Sequence, residues 1–250
     1  MTKIAMWSGP RSISTALMRS FENRPDTFVT DEPFYAHYLH KTGIDHPFRE
    51  EVMADGNTDW SNAVDEITGP IPEGKTIWYQ KHMAQHNLPG CDMKWVKRLT
   101  NCILIRHPLE VMLSYSKKYE IMSISQLGYP QQIDLFKLLT DMGDPPLILD
   151  AGDVLKNPGM TLKLFCRKLD IPFYNEMLSW PAGRRESDGI WGRHWYGSVE
   201  ASTGFHLYAE KTGDLPLKYQ DIYAASLESY QQLYSHRILL LMDKTASQSL

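Results

Sequence analysis

The feature that most constrains the fold is a strand-like run, a turn and a helical pattern near the start of the chain. Residues 3–7 read Lys-Ile-Ala-Met-Trp, residues 8–15 read Ser-Gly-Pro-Arg-Ser-Ile-Ser-Thr, and residues 16–21 continue a helical pattern. This order predicts a strand, a loop and a helix. Such a loop points backbone N–H groups and the positive end of a helix dipole at one place, so the pattern indicates an anion-binding site.

The loop's side chains fit a phosphate or sulfate. Arg11 offers a rigid charged fork, and Ser14 and Thr15 offer hydroxyl donors. The loop lacks the second glycine and the lysine of the triphosphatase pattern Gly-x-x-x-x-Gly-Lys-Ser/Thr. An ordinary turn in which Ser12 or Ser14 caps the helix is the simpler alternative. The loop alone does not decide between these two interpretations.

A second block predicts a basic group at the same edge of a sheet. Residues 102–105 form a short apolar run typical of a buried parallel strand, and Pro108 and Glu110 favour a helix directly after it. Arg106 therefore falls at the carboxyl end of a strand, which is where open α/β sheets bind ligands. Ser114 follows about two helical turns later and could offer a hydroxyl to the same ligand.

These blocks resemble the sulfotransferases that use 3′-phosphoadenosine 5′-phosphosulfate (PAPS). Residues 10–15 are similar to the family's 5′-phosphosulfate loop, usually Pro-Lys-Ser-Gly-Thr-Thr, and Arg106 with Ser114 matches the Arg and Ser that bind the 3′-phosphate. Residues 147–173 are similar to the family's late strand, Asn-Pro turn and Leu-Gly-Ile-Pro segment. The resemblance covers about residues 3–173, in the family's order and spacing.

A closer resemblance is to a little-characterised, single-domain group of sulfotransferase-like proteins. It is carried by the Gly-Pro-Arg-Ser start, by Asp-Glu-Pro-Phe at residues 31–34 and by Ser-Thr-Gly-Phe at residues 202–205. The resemblance implies a three-layer α/β fold, with a mostly parallel sheet flanked by helices as in P-loop NTPases. It implies PAPS as co-substrate and no metal.

The resemblance also assigns residues to donor binding. Those residues are Arg11, Ser12, Ile13, Ser14, Thr15, Arg106 and Ser114. Arg11 replaces the family's usual lysine and Ile13 replaces a glycine, so the loop is not assumed to hold the bridging oxygen as the lysine does. Arg11 is expected to stabilise the leaving phosphate.

Two residues are candidates for the catalytic base. His82 follows the predicted strand at residues 76–80, close to where sulfotransferases of small hydroxylated molecules carry a catalytic His. The ordinary pKa of histidine suits a base near neutral pH. Glu32 follows the predicted strand at residues 27–30, and other sulfotransferases use a carboxylate near there. Both candidates stay open.

The stretch at residues 183–196 is rich in arginine, glycine and tryptophan. The resemblance implies a basic loop in this region that closes over the 3′-phosphate and adenine, so Arg184, Arg185 or Arg193 is expected to bind the donor. The alternative is a solvated basic loop whose tryptophans pack on the domain.

Length and composition set the broader expectations. The 250 residues suffice for one sizeable core, so we expect a single domain over residues 1–250 with an inserted cap of short helices at about residues 38–72. The net charge of −4 argues against nucleic-acid or anionic-membrane partners. No apolar run reaches the roughly 18 residues of a membrane span, and the start lacks the core of a secretory signal, which predicts a cytoplasmic protein.

Two further patterns concern the cysteines and the end of the chain. Cys91, Cys102 and Cys166 are odd in number and widely spaced, which predicts reduced thiols. From residue 217 onward, Tyr and Leu side chains recur at helical spacing and predict one apolar face of a long helix. Residues 244–250 are predicted to be a loose tail.

These observations favour a sulfotransferase that moves a sulfuryl group from PAPS to a small hydroxyl- or amine-bearing acceptor. One alternative is a non-catalytic module that binds a phosphorylated nucleotide. Another is a P-loop kinase or triphosphatase, because residues 147–150 resemble a magnesium-binding strand end. The oligomeric state has no signature in a single sequence.

Overall fold

A five-stranded sheet forms the centre of the protein in the computed structural model, which describes residues 1–239. Its strands are β1 (Thr2–Ser8), β2 (Thr27–Asp31), β3 (Ile77–Met83), β4 (Thr100–Ile105) and β5 (Leu147–Asp150). They lie in the order β2, β3, β1, β4, β5, and every neighbouring pair is parallel. The carboxyl ends of the strands therefore meet at one edge of the sheet, where such sheets bind ligands.

Helices connect the strands and cover the sheet. Within residues 1–239 the α-helices are α1 (Ser14–Glu22), α2 (Tyr35–Thr42), α3 (Arg49–Asp55), α4 (Trp60–Thr68), α5 (Pro108–Tyr115), α6 (Tyr129–Asp141), α7 (Ala151–Lys156), α8 (Pro158–Lys168), α9 (Gly192–Trp195), α10 (Gly197–Glu200) and α11 (Gln220–Tyr234). Short 3-10 helices lie at Pro72–Gly74, Ala84–His86, Lys94–Arg98, Ile124–Leu127, Asn175–Leu178 and Leu217–Tyr219.

Side chains of β1 alternate between two cores, because successive residues of a strand point to opposite faces. Ala5 and Trp7 are fully buried on one face with side chains of α4, α5, α6 and α11. Ile4 and Met6 are fully buried on the other face with side chains of α1, α7 and α8. Helices thus cover both faces of the sheet, which confirms the predicted three-layer α/β fold.

The predicted cap of residues 38–72 is divided in the structure. Helices α2 and α3 form a separate apolar cluster that includes Val52, Trp191 and Tyr196. Helix α4 instead packs on the sheet through Ala63 and Ile67, which belong to the same core as Trp7. An apolar stripe at helical spacing explains why α4 joins the sheet layer.

Helix α11 carries the apolar face predicted for the end of the chain. Its Tyr230 and Leu233 are buried against α5, α6 and the sheet, and Tyr223, Leu227 and Tyr234 pack partly against the same core. Residues 244–250, the predicted tail, lie outside the described residues. None of the helices described between residues 1 and 239 combines the length and the hydrophobicity that crossing a bilayer needs. The three cysteines are free thiols, as predicted.

Candidate active site

A cavity of about 440 Å³ lies at the carboxyl edge of the sheet. Its walls come from the loop between β1 and α1, the ends of β2, β3 and β4, helices α2 and α5, and the segment at residues 191–211. The segment at residues 191–211 is called the covering segment below. The cavity is where the sheet topology predicts a ligand.

Backbone geometry shapes the loop after β1. A side-chain carbon at Gly9 would lie 2.3 Å from the carbonyl oxygen of Leu127, so the close approach of these two loops requires glycine. Arg11 and Ile13 adopt left-handed conformations, with φ of 60° and 59°. Ile13 thus takes a conformation that favours glycine, at the position where the related loops carry one. The backbone turn is kept although the glycine is replaced.

The loop leaves its amides free for a ligand. Residue 13 is the N-cap of α1 and supplies no side-chain cap, and the N–H group of Leu17 makes the first helical hydrogen bond, to Ile13. Within residues 1–239, the N–H groups of residues 12–15 donate to no protein acceptor. Capping by Ser12 or Ser14, the simpler interpretation of the sequence, is therefore not observed. Free amides beside a helix N-terminus form an anion site.

The predicted donor-binding side chains converge on this loop. Arg11 donates from Nε to Ser114 Oγ at 2.9 Å, and Arg106 donates from Nη1 to the carbonyl oxygen of Arg11 at 2.9 Å. Glu110 orients Arg106, accepting from its Nε at 2.9 Å and its Nη2 at 2.6 Å. Burial and the nearby Arg106 lower the pKa of Arg11. The structure thus brings Arg11, Arg106 and Ser114 together.

Lys211, on the covering segment, adds a cation that the sequence did not single out. It lines the cavity, and burial together with Arg106 lowers its pKa. Within the described part of the chain, neither Lys211 nor Arg11 is paired with a carboxylate. Lys211 follows a stretch without helical or strand periodicity, so no sequence pattern marked it. Two unneutralised cations at one wall favour an anionic ligand.

The arginines of the predicted basic loop do not line the cavity. Arg184 is exposed, and Arg185 lies with its Nε 3.8 Å from Glu22. The cause is a buried ion pair nearby, in which Arg19 of α1 donates to Asp188 at 2.5 Å. This pair fixes the stretch against α1. Lys211 lines the cavity, whereas Arg184 and Arg185 do not.

A buried charge cluster occupies the wall formed by β2 and β3. Lys81 donates to Asp31 at 2.8 Å and to Glu32, and Tyr196 of the covering segment donates its hydroxyl to Asp31 at 2.7 Å. Burial raises the pKa of Glu32 although Lys81 acts in the opposite direction. Although burial favours the neutral amine, the two carboxylates raise the pKa of Lys81. Glu32 lines the cavity and can accept a proton there.

His82 lies on the other face of the sheet from the cavity. Strand β3 continues to Met83, so Lys81 and Met83 face the cavity and the intervening His82 faces the core. Its ring stacks on Trp7 with centroids 4.2 Å apart, and burial lowers the pKa of His82 to about 3. We therefore do not assign His82 as the base.

Aromatic rings line the cavity beyond Glu32. We call this group the aromatic end; it consists of Tyr35, Tyr38, His46, His86, Trp191 and Trp195. His86 is sandwiched between the rings of Tyr35 and Tyr38, at centroid distances of 4.9 and 4.7 Å. Its Nε2 lies 4.0 Å from Glu32, and burial lowers the pKa of His86 well below its usual value. Sequence reasoning missed both histidines of this end.

The strand end that resembled a magnesium site has a structural role. Asp150 caps helix α7 by accepting from the N–H group of Asp153 at 3.1 Å, and it accepts the hydroxyl of Tyr230 at 3.0 Å. Across residues 1–239, no three His, Cys, Asp or Glu side chains are grouped so that they could hold a metal ion.

Solved structures share this fold at low sequence identity. The sulfotransferase domain from the Synechococcus PCC 7002 olefin synthase aligns with a TM-score of 0.52 and 16% identity, covering 92% of this chain and 94% of that one. A sulfotransferase from Alicyclobacillus acidocaldarius aligns with a TM-score of 0.54 and 13% identity, covering 96% and 97%. These similarities support the fold.

Two curated relatives from Arabidopsis thaliana are more similar in sequence. They are named branched-chain-amino-acid aminotransferase-like proteins 1 and 2, with 39% identity over 234 residues and 36% over 236. The matches cover 93% and 94% of this chain but 42% of each relative, so the chain spans less than half of their length. A family model described as a sulfotransferase domain matches residues 2–237. Because that match takes in nearly the whole chain, the protein belongs to the sulfotransferase domain family.

Proposed function

We propose that the protein is an enzyme that transfers a sulfuryl group from PAPS to a small hydroxyl- or amine-bearing acceptor. The observation that carries the proposal is the division of one cavity into two chemically different ends. Arg11, Arg106 and Lys211 stand at one end, and the nearly buried carboxyl group of Glu32 stands at the other. The first end suits a doubly phosphorylated donor and the second suits an acceptor that loses a proton.

The cationic end fits the two phosphate positions of PAPS. The free amides of residues 12–15, together with Arg11, would hold the 5′-phosphosulfate as helix N-termini hold phosphates. Arg106, Ser114 and Lys211 would hold the 3′-phosphate. Because Arg11 and Lys211 have no carboxylate partner within residues 1–239, an anionic ligand would neutralise charge that the protein leaves uncompensated.

The transfer step uses groups from both ends. The acceptor oxygen or nitrogen bonds to sulfur while the bond from sulfur to the 5′-phosphate oxygen breaks. Glu32 takes the acceptor's proton, and Arg11 with the loop amides stabilises the phosphate that leaves. Lys81 holds Glu32 in place through their ion pair. These roles are mainly positioning and electrostatic stabilisation.

Calorimetric titration with 3′-phosphoadenosine 5′-phosphate (PAP), the nucleotide product, tests the donor site. We expect micromolar binding to the wild type and binding about 10- to 100-fold weaker for Arg106→Ala, since the variant loses a charged hydrogen-bonding group. Arg184→Ala is the matched control, because Arg184 is an exposed arginine outside the cavity and its removal should leave the affinity unchanged.

The same titration separates the alternatives. A preference for ATP with magnesium over PAP would favour a kinase or triphosphatase and contradict the proposal. PAP binding without PAP release from PAPS, over a panel of alcohols and amines, would favour a non-catalytic binding module. If Arg184→Ala weakens PAP binding and Arg106→Ala does not, the 3′-phosphate binds to the basic loop predicted from the sequence and not to Arg106.

A further inference from the structure

The stretch at residues 206–214, which includes the end of the covering segment, is held to the protein at one point. The residues on either side of Tyr208 are exposed, whereas Tyr208 itself is half-buried. Its hydroxyl donates to Glu110 Oε1 at 3.0 Å, and this is the one hydrogen bond that joins the stretch to the rest of residues 1–239. Because the stretch carries Lys211, the position of that cation at the cavity wall depends on Tyr208.

The carboxyl group of Glu110 has two sets of partners. Its Oε1 accepts from Tyr208, and its Oε2 accepts from Nε of Arg106 at 2.9 Å and from Nη2 at 2.6 Å. Lys211 follows three residues after Tyr208, which keeps its backbone within about 10 Å of the bonded tyrosine. One carboxyl group thus orients Arg106 directly and limits the position of Lys211 through Tyr208.

Tyr208 and Glu110 act from outside the cavity. Neither side chain lines it, so each can affect a ligand only through the cations that do. Burial and the hydrogen bond to Glu110 raise the pKa of Tyr208 to about 12, so the phenol stays protonated near neutral pH and donates to the carboxyl group. The ring of Tyr208 also lies against Lys156, whose Nζ is 4.8 Å from the ring centroid.

Arg106 keeps donors free for a ligand, but its charge is balanced. Of the five N–H donors of a guanidinium group, those of Arg106 that bind protein go to Glu110 and to the carbonyl oxygen of Arg11. One N–H on each terminal nitrogen has no acceptor within residues 1–239. Because Glu110 offsets the charge of Arg106, Lys211 supplies the net positive charge that a second phosphate group needs here.

We infer that Tyr208 is a positioning residue that makes the donor site specific for nucleotides with a 3′-phosphate; the inference rests on the proposed function. Bonded to Glu110, Tyr208 holds Lys211 beside Arg106, and the 3′-phosphate binds to both cations. A nucleotide without a 3′-phosphate gains nothing from this arrangement. Tyr208 therefore affects the affinity for PAP and not the affinity for adenosine 5′-phosphate (AMP), which differs from PAP by the 3′-phosphate alone.

Calorimetric titration of Tyr208→Phe with PAP and with AMP tests the inference. The substitution removes the hydroxyl group and keeps the ring beside Lys156. We expect PAP to bind about 5- to 20-fold more weakly than to the wild type, with the AMP affinity changed by less than about twofold. Tyr223→Phe is the matched control, because it removes the hydroxyl of a half-buried tyrosine on α11 outside the cavity and should change neither affinity.

A double variant tests whether Tyr208 acts through Lys211. In a Lys211→Met background, Tyr208→Phe should weaken PAP binding by less than about a further twofold, because both substitutions remove the same interaction. Fully additive losses would overturn the inference. Equal losses for PAP and AMP in Tyr208→Phe would also overturn it, since they would indicate a general structural role, and so would unchanged affinities for both nucleotides.

Cleavage by trypsin tests the hold on the stretch without any nucleotide. Lys211 is the only lysine or arginine in residues 206–214, so the masses of the products identify a cut there. We expect Tyr208→Phe to be cut after Lys211 at least about 5-fold faster than the wild type, because the stretch opens more often. Equal rates would overturn the inference. If the wild type binds PAP no more tightly than AMP, the proposed donor fails, whereas the cleavage rates still decide whether Tyr208 holds the stretch.

Discussion

The carboxyl group of Glu32 lies almost buried between the ammonium group of Lys81 and the cavity. Glu32→Gln keeps the shape of the side chain but removes its ability to take a proton. We expect kcat to fall by about 10²- to 10⁴-fold, as is typical for loss of a general base, with the PAP affinity unchanged. The measurement is the initial rate of PAP release from PAPS with a saturating acceptor.

His82→Gln is the control for this substitution. His82 was the other candidate base, and its side chain packs in the core, so turnover should stay close to that of the wild type once folding is verified by circular dichroism. Full activity in Glu32→Gln together with its loss in His82→Gln would reverse the assignment.

The pH dependence of turnover follows from the same carboxyl group. Burial raises the pKa of Glu32 above its ordinary value of 4.5. A base must be unprotonated, so kcat/KM should decrease as the pH falls through the raised pKa. We expect the acidic limb of the profile to have its midpoint above pH 4.5, and that limb should be absent from the residual activity of Glu32→Gln. A midpoint below the ordinary value would contradict the role of Glu32.

The sequence predicted part of the site at the level of single residues. Arg11, Arg106 and Ser114 could be found because each follows a strand end within a recognisable spacing, and the structure brings them together. The face of the sheet on which His82 lies could not be predicted without knowing at which residue β3 ends. Successive residues of a strand point to opposite faces, so an error of one residue moves a side chain to the wrong face. Lys211 lies in an aperiodic stretch, and only the tertiary fold brings it to Arg106.

At the scale of a secondary-structure element, the burial of His82 in strand β3 leads to a prediction about stability. His82 is buried and neutral in the folded protein, with a pKa of about 3, whereas the unfolded chain has the usual value near 6.5. Below pH 6.5 the unfolded state therefore binds the extra proton. Between these two pKa values, His82 should lower the free energy of unfolding by about 1.4 kcal/mol for each unit by which the pH falls.

His82→Phe removes this effect and keeps an aromatic ring beside Trp7. Between pH 7 and pH 5, the variant should lose about 2 kcal/mol less stability than the wild type, as measured by urea unfolding. His40→Phe, which changes an exposed histidine on α2, is the control and should lose as much as the wild type. Identical pH dependence in all three proteins would refute the buried neutral imidazole.

Most elements around the site could be predicted, because local patterns determine them. The strands beginning near residues 3, 27, 76, 102 and 147 and the helix after Pro108 all appear in the structure. The sequence could not predict that β3 extends to Met83, because the residues there include polar ones and show no apolar strand pattern. They are buried because Lys81 forms a charge cluster inside the protein. Placement of α4 on the sheet likewise depends on tertiary packing.

At the scale of the whole molecule, one buried ion pair fixes the stretch just before the covering segment to helix α1. The side chains of Arg19 on α1 and Asp188 are both fully buried, and Asp188 also accepts from the N–H group of Arg185 at 2.8 Å. Asp188→Ala removes the buried partner of Arg19 and leaves its guanidinium group with Glu22 alone, at 3.2 Å. We expect a loss of about 1 to 3 kcal/mol in the free energy of unfolding, measured with urea.

A double variant separates the lost pairing from the buried charge. In Arg19→Leu/Asp188→Leu both charges are gone, so much of the lost stability should return. Glu120→Gln breaks the exposed pair with Lys218 and should have no measurable effect. If Asp188→Ala unfolds at the same urea concentration as the wild type, the pair does not fix the segment.

The position of β1 has a practical consequence. Thr2 lies at the amino end of the central strand, where its N–H group donates to Thr76, and Met1 beside it is fully exposed. The seven residues of β1 place this point about 20 Å from the edge that carries the cavity. A tether attached through Met1 would thus hold every immobilised molecule with its cavity facing the solution. Candidate acceptors could then be screened by flow over a sensor surface.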